Sequence, residues 1–84
     1  MKHESTFTLT ISRVDELLFS GEAESMTLPA EKGQMTILAH HEPIITLISA
    51  GTITVRTNEE HKTFPIVRGM CEISNNQATI LVQL

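Results

Sequence analysis

His40 and His41 stand side by side with Glu42 directly after them, and these are residue types that bind transition metals or move protons. Adjacent residues of an extended segment point to opposite sides, so the two imidazoles do not readily chelate one ion. A metal site would need Glu42, His3 or His61 brought in by the fold, and nothing in the spacing requires that. The plainer reading is a solvated or partner-facing loop. Cys71, the single cysteine, becomes a nucleophile only with a histidine beside it in space. It lies between Met70 and Glu72 in a predicted strand, where a small buried thiol is far more usual. Glu22 and Glu24 have the spacing of a carboxylate pair on one strand face, or of a solvated sheet edge. Gly21, Gly33, Gly51 and Gly69 are isolated, so no phosphate-cradling loop is present. These residues predict no catalytic, metal or nucleotide site and no cofactor.

The elements that must carry such residues read as strands. Thr, Ile and Val make up 24 of the 84 residues, and β-branched side chains suit a pleated surface better than a helix. Phe7, Leu9 and Ile11 alternate with Thr6, Thr8 and Thr10; Ile53 and Val55 alternate with Thr52, Thr54 and Arg56; Ala78, Ile80 and Val82 alternate with Thr79, Leu81 and Gln83. Turn signals fall at Ser20-Gly21, Pro29 through Gly33, Ala50-Gly51, Asn58 through Glu60, Arg68-Gly69 and Asn75-Asn76. Ser12-Arg13-Val14-Asp15 resembles a helix capping box, but Gly21 follows too soon and a strand is the better reading. Short strands at such intervals predict one all-β sandwich or barrel domain over residues 1–84.

Charge and composition narrow the partners. Ten acidic residues against six basic ones give a net charge of −4, the wrong sign for neutralising phosphates, and Phe7, Phe19 and Phe64 are the whole aromatic inventory for stacking bases. Nucleic acid is therefore not an expected partner. No apolar run approaches the roughly 20 residues of a membrane helix, and MKHESTFTLT lacks the apolar stretch of a signal peptide. A soluble protein of a reducing compartment is expected, without direct membrane insertion. A single small domain buries only about 60% of its unfolded surface, so burial against another protein is an available source of stability.

The segment from Gly33 to Ile48 supports such burial. Pro43 through Ile48 places apolar residues on both alternating faces, as a strand covered on both sides would. Either Ile44, Leu47 and Ile48 cap the edge of the core, or the second face meets a partner.

The order of motifs resembles the epsilon subunit of F-type ATP synthases. The matching residues are Phe7 through Ile11, then Phe19-Ser20-Gly21 with an acidic alternating strand to Pro29, Gly33 opening a loop that closes on His41-x-Pro43, Ala50-Gly51-Thr52-Ile53, Arg68 through Ile73, and Asn76 through Val82. The resemblance runs from about Thr6 to the C-terminus in one register. It implies a ten-stranded β-sandwich of short, mostly antiparallel strands. It also implies a non-catalytic subunit of the rotor's central stalk, which links the gamma subunit to the c-ring and helps couple translocation of protons or sodium ions to ATP synthesis.

By position, Gly33, Gln34 and Met35 fall in the loop facing the c-ring, while Arg13, His41, Glu42, Pro43 and Thr46 fall in the region contacting gamma. The implied location is peripheral, on the cytoplasmic face of a bacterial-type inner membrane. Departures from the family pattern are Thr36 for a loop glycine, Ala39-His40 for Pro-Gly, Glu42 for alanine and Arg68 for a second glycine. Losing two glycines removes easy access to positive φ, so a different loop path is expected. The altered loop is also what an independent β-sandwich adapter descended from the same family would show. Family members typically continue into a two-helix hairpin that senses nucleotide; with the sequence ending at Leu84, rotor assembly and torque coupling are carried over, and nucleotide sensing is not.

Overall fold

The computed structural model describes residues 5–58 and 60–84, and every regular element in it is a strand. In order they are β1 (Phe7–Arg13), β2 (Glu16–Ala23), β3 (Ser25–Ala30), β4 (Gly33–Leu38), β5 (Ile44–Ile48), β6 (Gly51–Arg56), β7 (His61–Ile66), β8 (Arg68–Ser74) and β9 (Gln77–Gln83). Nine strands stand among the described residues where ten were expected. His3, a possible metal ligand, and Glu59, within an expected turn, lie outside the described residues.

Hydrogen bonding runs through the order β2-β1-β9-β8-β5-β3-β6-β7, with β4 on β3. Every pairing is antiparallel except β1 with β9. β4 takes one edge of β3 along its length, and the other edge is shared, Ser25–Thr27 with β6 and Ala30 with β5. Because β5 and β3 meet through one residue pair, Ala30 with Ile48, the sheet folds over at this seam and its two parts face each other. On the far side, Phe19 of β2 meets Phe64 of β7 edge to face, ring centroids 6.3 Å apart at 76°, bringing together the strands at the two ends of the path.

Alternation decides what lies between the layers. Phe7, Leu9 and Ile11 of β1, Met26 and Leu28 of β3, Ile53 and Val55 of β6, Cys71 and Ile73 of β8, and Ala78, Ile80 and Val82 of β9 are all buried in one core. The outward partners on the same strands, Thr8, Thr52, Glu72 and Thr79 among them, are exposed, as a period of two requires.

Three turn readings need correction. Ser20-Gly21 is not a turn but the middle of β2, where Gly21 pairs with Leu9; the chain reverses earlier, at Val14-Asp15, and bends later, at Glu24. Nothing about Gly21 demands a turn, since a Cβ there would make only ordinary contact with the Phe19 ring at 3.7 Å. Arg68-Gly69 opens β8, the bend lying one residue earlier at Val67. Glycine at 69 has a packing reason: an added Cβ would sit 2.7 Å from the Leu81 carbonyl oxygen of the neighbouring strand. In the third, only Glu31-Lys32 of the Pro29–Gly33 stretch leaves the β3–β4 hairpin ladder.

Gly69→Ala should therefore destabilise the domain by about 1–3 kcal/mol, because the clash is with backbone and cannot be relieved by a rotamer. Gly21→Ala should change stability by only about 0.5 kcal/mol. Urea denaturation of the two variants checks this, and equal losses would contradict the packing described.

Candidate docking surface

β5 carries apolar residues on both faces, and the structure separates them. Ile48 is buried and Ile44 packs partly against the core, whereas Ile45 and Leu47 point outward with 70% and 53% of their surface exposed. Thr46 lies on the same side as Ile44 and Ile48 and is half-buried. Of the residues read as capping the core edge, Ile44 and Ile48 do so and Leu47 does not.

Register extends this outward face across the sheet. Leu47 pairs with Met70 of β8, Met70 with Leu81 of β9, Leu81 with Ser12 of β1, and Ser12 with Leu17 of β2. Leu47, Met70, Leu81 and Leu17 are each roughly half exposed, so one row of directly opposed side chains crosses the sheet, interrupted only by Ser12. Opposed residues on one face lie about 4.5–5.5 Å apart at Cβ, which makes Leu47, Met70 and Leu81 one continuous apolar surface.

A groove opens at each end of the Leu47–Met70–Leu81 segment. One, of about 550 Å³, is lined by Gly33, Gln34 and Met35 together with Ile45, Thr46 and Leu47. The β3–β4 turn reaches this place because Glu31 N–H donates to the Leu47 carbonyl at 3.0 Å and Ser49 N–H to that of Pro29 at 2.7 Å. The other, of about 560 Å³, is lined by Arg13, Val14, Arg68, Met70, Leu81 and Leu84, with Gly69, Val82 and Gln83 at its base. Arg13 is oriented there by a 3.1 Å ion pair with Asp15. Gly33, Gln34, Met35 and Thr46 thus line one groove and Arg13 the other. His41, Glu42 and Pro43 occupy the loop that feeds the start of β5, with His41 Nδ1 2.7 Å from the Glu42 carbonyl.

Sequence reading missed Met70, Leu81 and Leu17. The alternation of β9 already turned Leu81 outward, but only the long-range register places it beside Met70 and Leu47.

The β4–β5 loop contains a left-handed residue that is not glycine. His40 has φ 64°, a conformation that costs a non-glycine residue roughly 1–2 kcal/mol, and its N–H donates to Asn76 Oδ1 at 2.7 Å. Thr36, in place of the other glycine, lies in β4 opposite Thr27 and has no special conformation to adopt.

Other chemistry is not assembled. Among the described residues no three His, Cys, Asp or Glu side chains converge as metal ligands. Glu22 is held by the Thr6 and Thr8 hydroxyls, each donating at 2.8 Å, while Glu24 lies beyond the end of β2, 4.0 Å from Arg56 Nε, so the two carboxylates do not share a site. Cys71 is fully buried, and burial, with the charge of Glu72 adding to it, pushes its thiol up from 9.0 to about 11. No helix among the described residues is long and apolar enough to cross a membrane.

Comparison with known proteins places this geometry in a family. The model of the ATP synthase delta/epsilon chain β-sandwich domain matches residues 6–84. The ATP synthase epsilon chain of Gloeothece citriformis is 34% identical over 77 residues, covering 92% of this chain and 56% of the relative. That of Bartonella quintana is 30% identical over 82 residues, covering 98% and 59%. The chain therefore spans a little over half the length of these curated relatives. In fold it matches a chain of the Euglena gracilis mitochondrial ATP synthase, in an OSCP/F1/c-ring structure, with a TM-score of 0.87 at 21% identity over 98% of this chain and 53% of that one. A chain of the Tetrahymena thermophila central stalk and c-ring structure gives 0.81 at 14% identity, covering 92% and 63%.

The burial of Cys71 is directly measurable. Native protein at neutral pH should react with a thiol reagent at least about tenfold more slowly than urea-unfolded protein, the thiolate being the reactive form. Since the folded thiol titrates near 11 and the unfolded one near 9.0, its contribution is intact below about pH 9 and is lost as pH rises toward 11. Cys71→Ala should lack that component of the alkaline decline; an identical pH profile would contradict the assignment.

Proposed function

The chain belongs to the ATP synthase delta/epsilon-chain β-sandwich family, and we propose that it serves as a central-stalk subunit of an F-type ATP synthase. Its homology is to the epsilon chain, which is not the catalytic subunit of that enzyme. In the proposed role the domain joins the gamma subunit to the c-ring and transmits torque between ion translocation and ATP synthesis. It is held peripherally at the cytoplasmic face of a bacterial-type inner membrane through those partners.

The single observation that carries the reading is the outward row Leu47–Met70–Leu81, flanked by Ile45 and by the two grooves. A domain whose core is already filled gains nothing from these side chains alone in water, whereas burying one Leu, Ile or Met against a partner contributes about 1.5–3 kcal/mol. Gamma is assigned to this face and to the His41–Pro43 loop at the start of β5. The β3–β4 turn, with Gly33 and Gln34 exposed and Met35 packed partly against the core, is assigned to the polar loops of the c-ring. Gln34 offers hydrogen bonds without charge, so that contact is expected to depend little on salt.

A charge placed on the row should be costly. Met70→Lys and Leu47→Lys should leave the sheet folded but weaken binding to purified gamma at least about tenfold, a loss of about 1.4 kcal/mol. Thr63→Lys, exposed on β7 in the other layer, should bind like the unaltered chain. Calorimetry with circular dichroism of each variant decides. Loss confined to Thr63→Lys would move the interface to the opposite layer.

A further inference from the structure

We propose that Asn76 is a positioning residue that locks the β4–β5 loop, and with it His41 through Pro43, in the conformation that gamma binds; this rests on the docking role assigned above. Asn76 lies in the β8–β9 turn, where Asn75 and Asn76 have φ of 53° and 60°. Its side chain spans segments far apart in sequence. Oδ1 accepts from His40 N–H at 2.7 Å, 36 residues away, and Nδ2 donates to the Thr6 carbonyl at 2.9 Å, 70 residues away. Its own carbonyl accepts from Thr8 N–H at 3.2 Å. One residue thereby ties the lead into β1, the β8–β9 turn and the β4–β5 loop together.

The tie matters at His40 because that residue is left-handed without being glycine. A histidine released from its bond would favour the ordinary right-handed or extended regions, and the backbone of the next three residues would swing with it. The bond from His41 Nδ1 to Glu42 is internal to the loop and cannot anchor it to the sheet. Asparagine suits the position because it carries a donor and an acceptor on a short side chain and tolerates positive φ. Aspartate would keep only the acceptor, and glycine only the backbone conformation.

The test compares the variants for affinity to gamma and for amide exchange at His40. Asn76→Gly keeps the turn and removes both side-chain bonds. It should weaken binding at least about tenfold with the sheet intact, and His40 N–H should exchange at least about tenfold faster even without gamma. Asn75→Gly makes the same backbone change without touching the tie and should bind within about twofold of the unaltered chain. Adding His40→Gly to Asn76→Gly should recover most of the loss, because glycine adopts positive φ without the penalty a histidine meets there. Unchanged binding by Asn76→Gly, an equal loss in Asn75→Gly, or no recovery in the double variant would overturn the proposal. Should Asn76→Gly fail to fold, Asn76→Asp decides: it keeps the acceptor for His40, so binding within about threefold supports the tie and a tenfold loss with the sheet intact overturns it. If the unaltered chain does not bind gamma, the docking role fails and this proposal falls with it, a result distinct from any difference among variants.

Discussion

Each strand of this domain can bury one of its two faces in the core, and nearly everything else about the molecule follows from what is left on the other. The inward set, from Phe7 and Leu9 to Ile80 and Val82, fills the space between two layers that are joined at the β3–β5 seam and at Phe19–Phe64. With that space full, an apolar side chain on an outward position has no place inside. Most outward positions respect this and carry Thr, Ser, Gln or a charged residue. Ile45, Leu47, Met70 and Leu81 of β5, β8 and β9 do not, nor do Leu17 of β2 and Leu38 of β4, and register brings Leu47, Met70 and Leu81 into one line. The surface proposed to meet a partner is thus set by the same pleat that builds the core.

Much of the fold was legible because period-two alternation is a local signal. β1, β6 and β9 are where Phe7–Ile11, Ile53–Val55 and Ala78–Val82 placed them. Reading failed where a residue's usual role differs from its role here. Gly21 suggested a turn and sits within a strand; Gly69 suggested a turn and instead makes room for a neighbouring backbone. The site was less legible than the fold. Ile45 and Leu47 stood out as the second apolar face of β5, but Met70 and Leu81 join them only through pairings between distant segments. Gln34 and Thr46, named from the family resemblance, do fall on one groove, while His41 through Pro43 sit apart from it in their own loop.

The β4–β5 loop carries a left-handed residue that is not glycine. Replacing glycine with histidine removes the residue that adopts positive φ freely, and a changed path was the expectation. His40 is left-handed, with its amide bonded to Asn76. The hydrogen bond is charged to a side chain far away in sequence, which is why no inspection of the loop alone reveals it.

The claim on which the account stands is that gamma covers the outer face of β5, β8 and β9. The most direct measurement is methyl and amide NMR of the full chain titrated with purified gamma. The account predicts that signals of Ile45, Leu47, Met70 and Leu81 shift or broaden together while Thr52 and Thr63, exposed on β6 and β7, stay unchanged. Perturbation confined to Thr52 and Thr63, with the Leu47–Met70–Leu81 row unaffected, would contradict it.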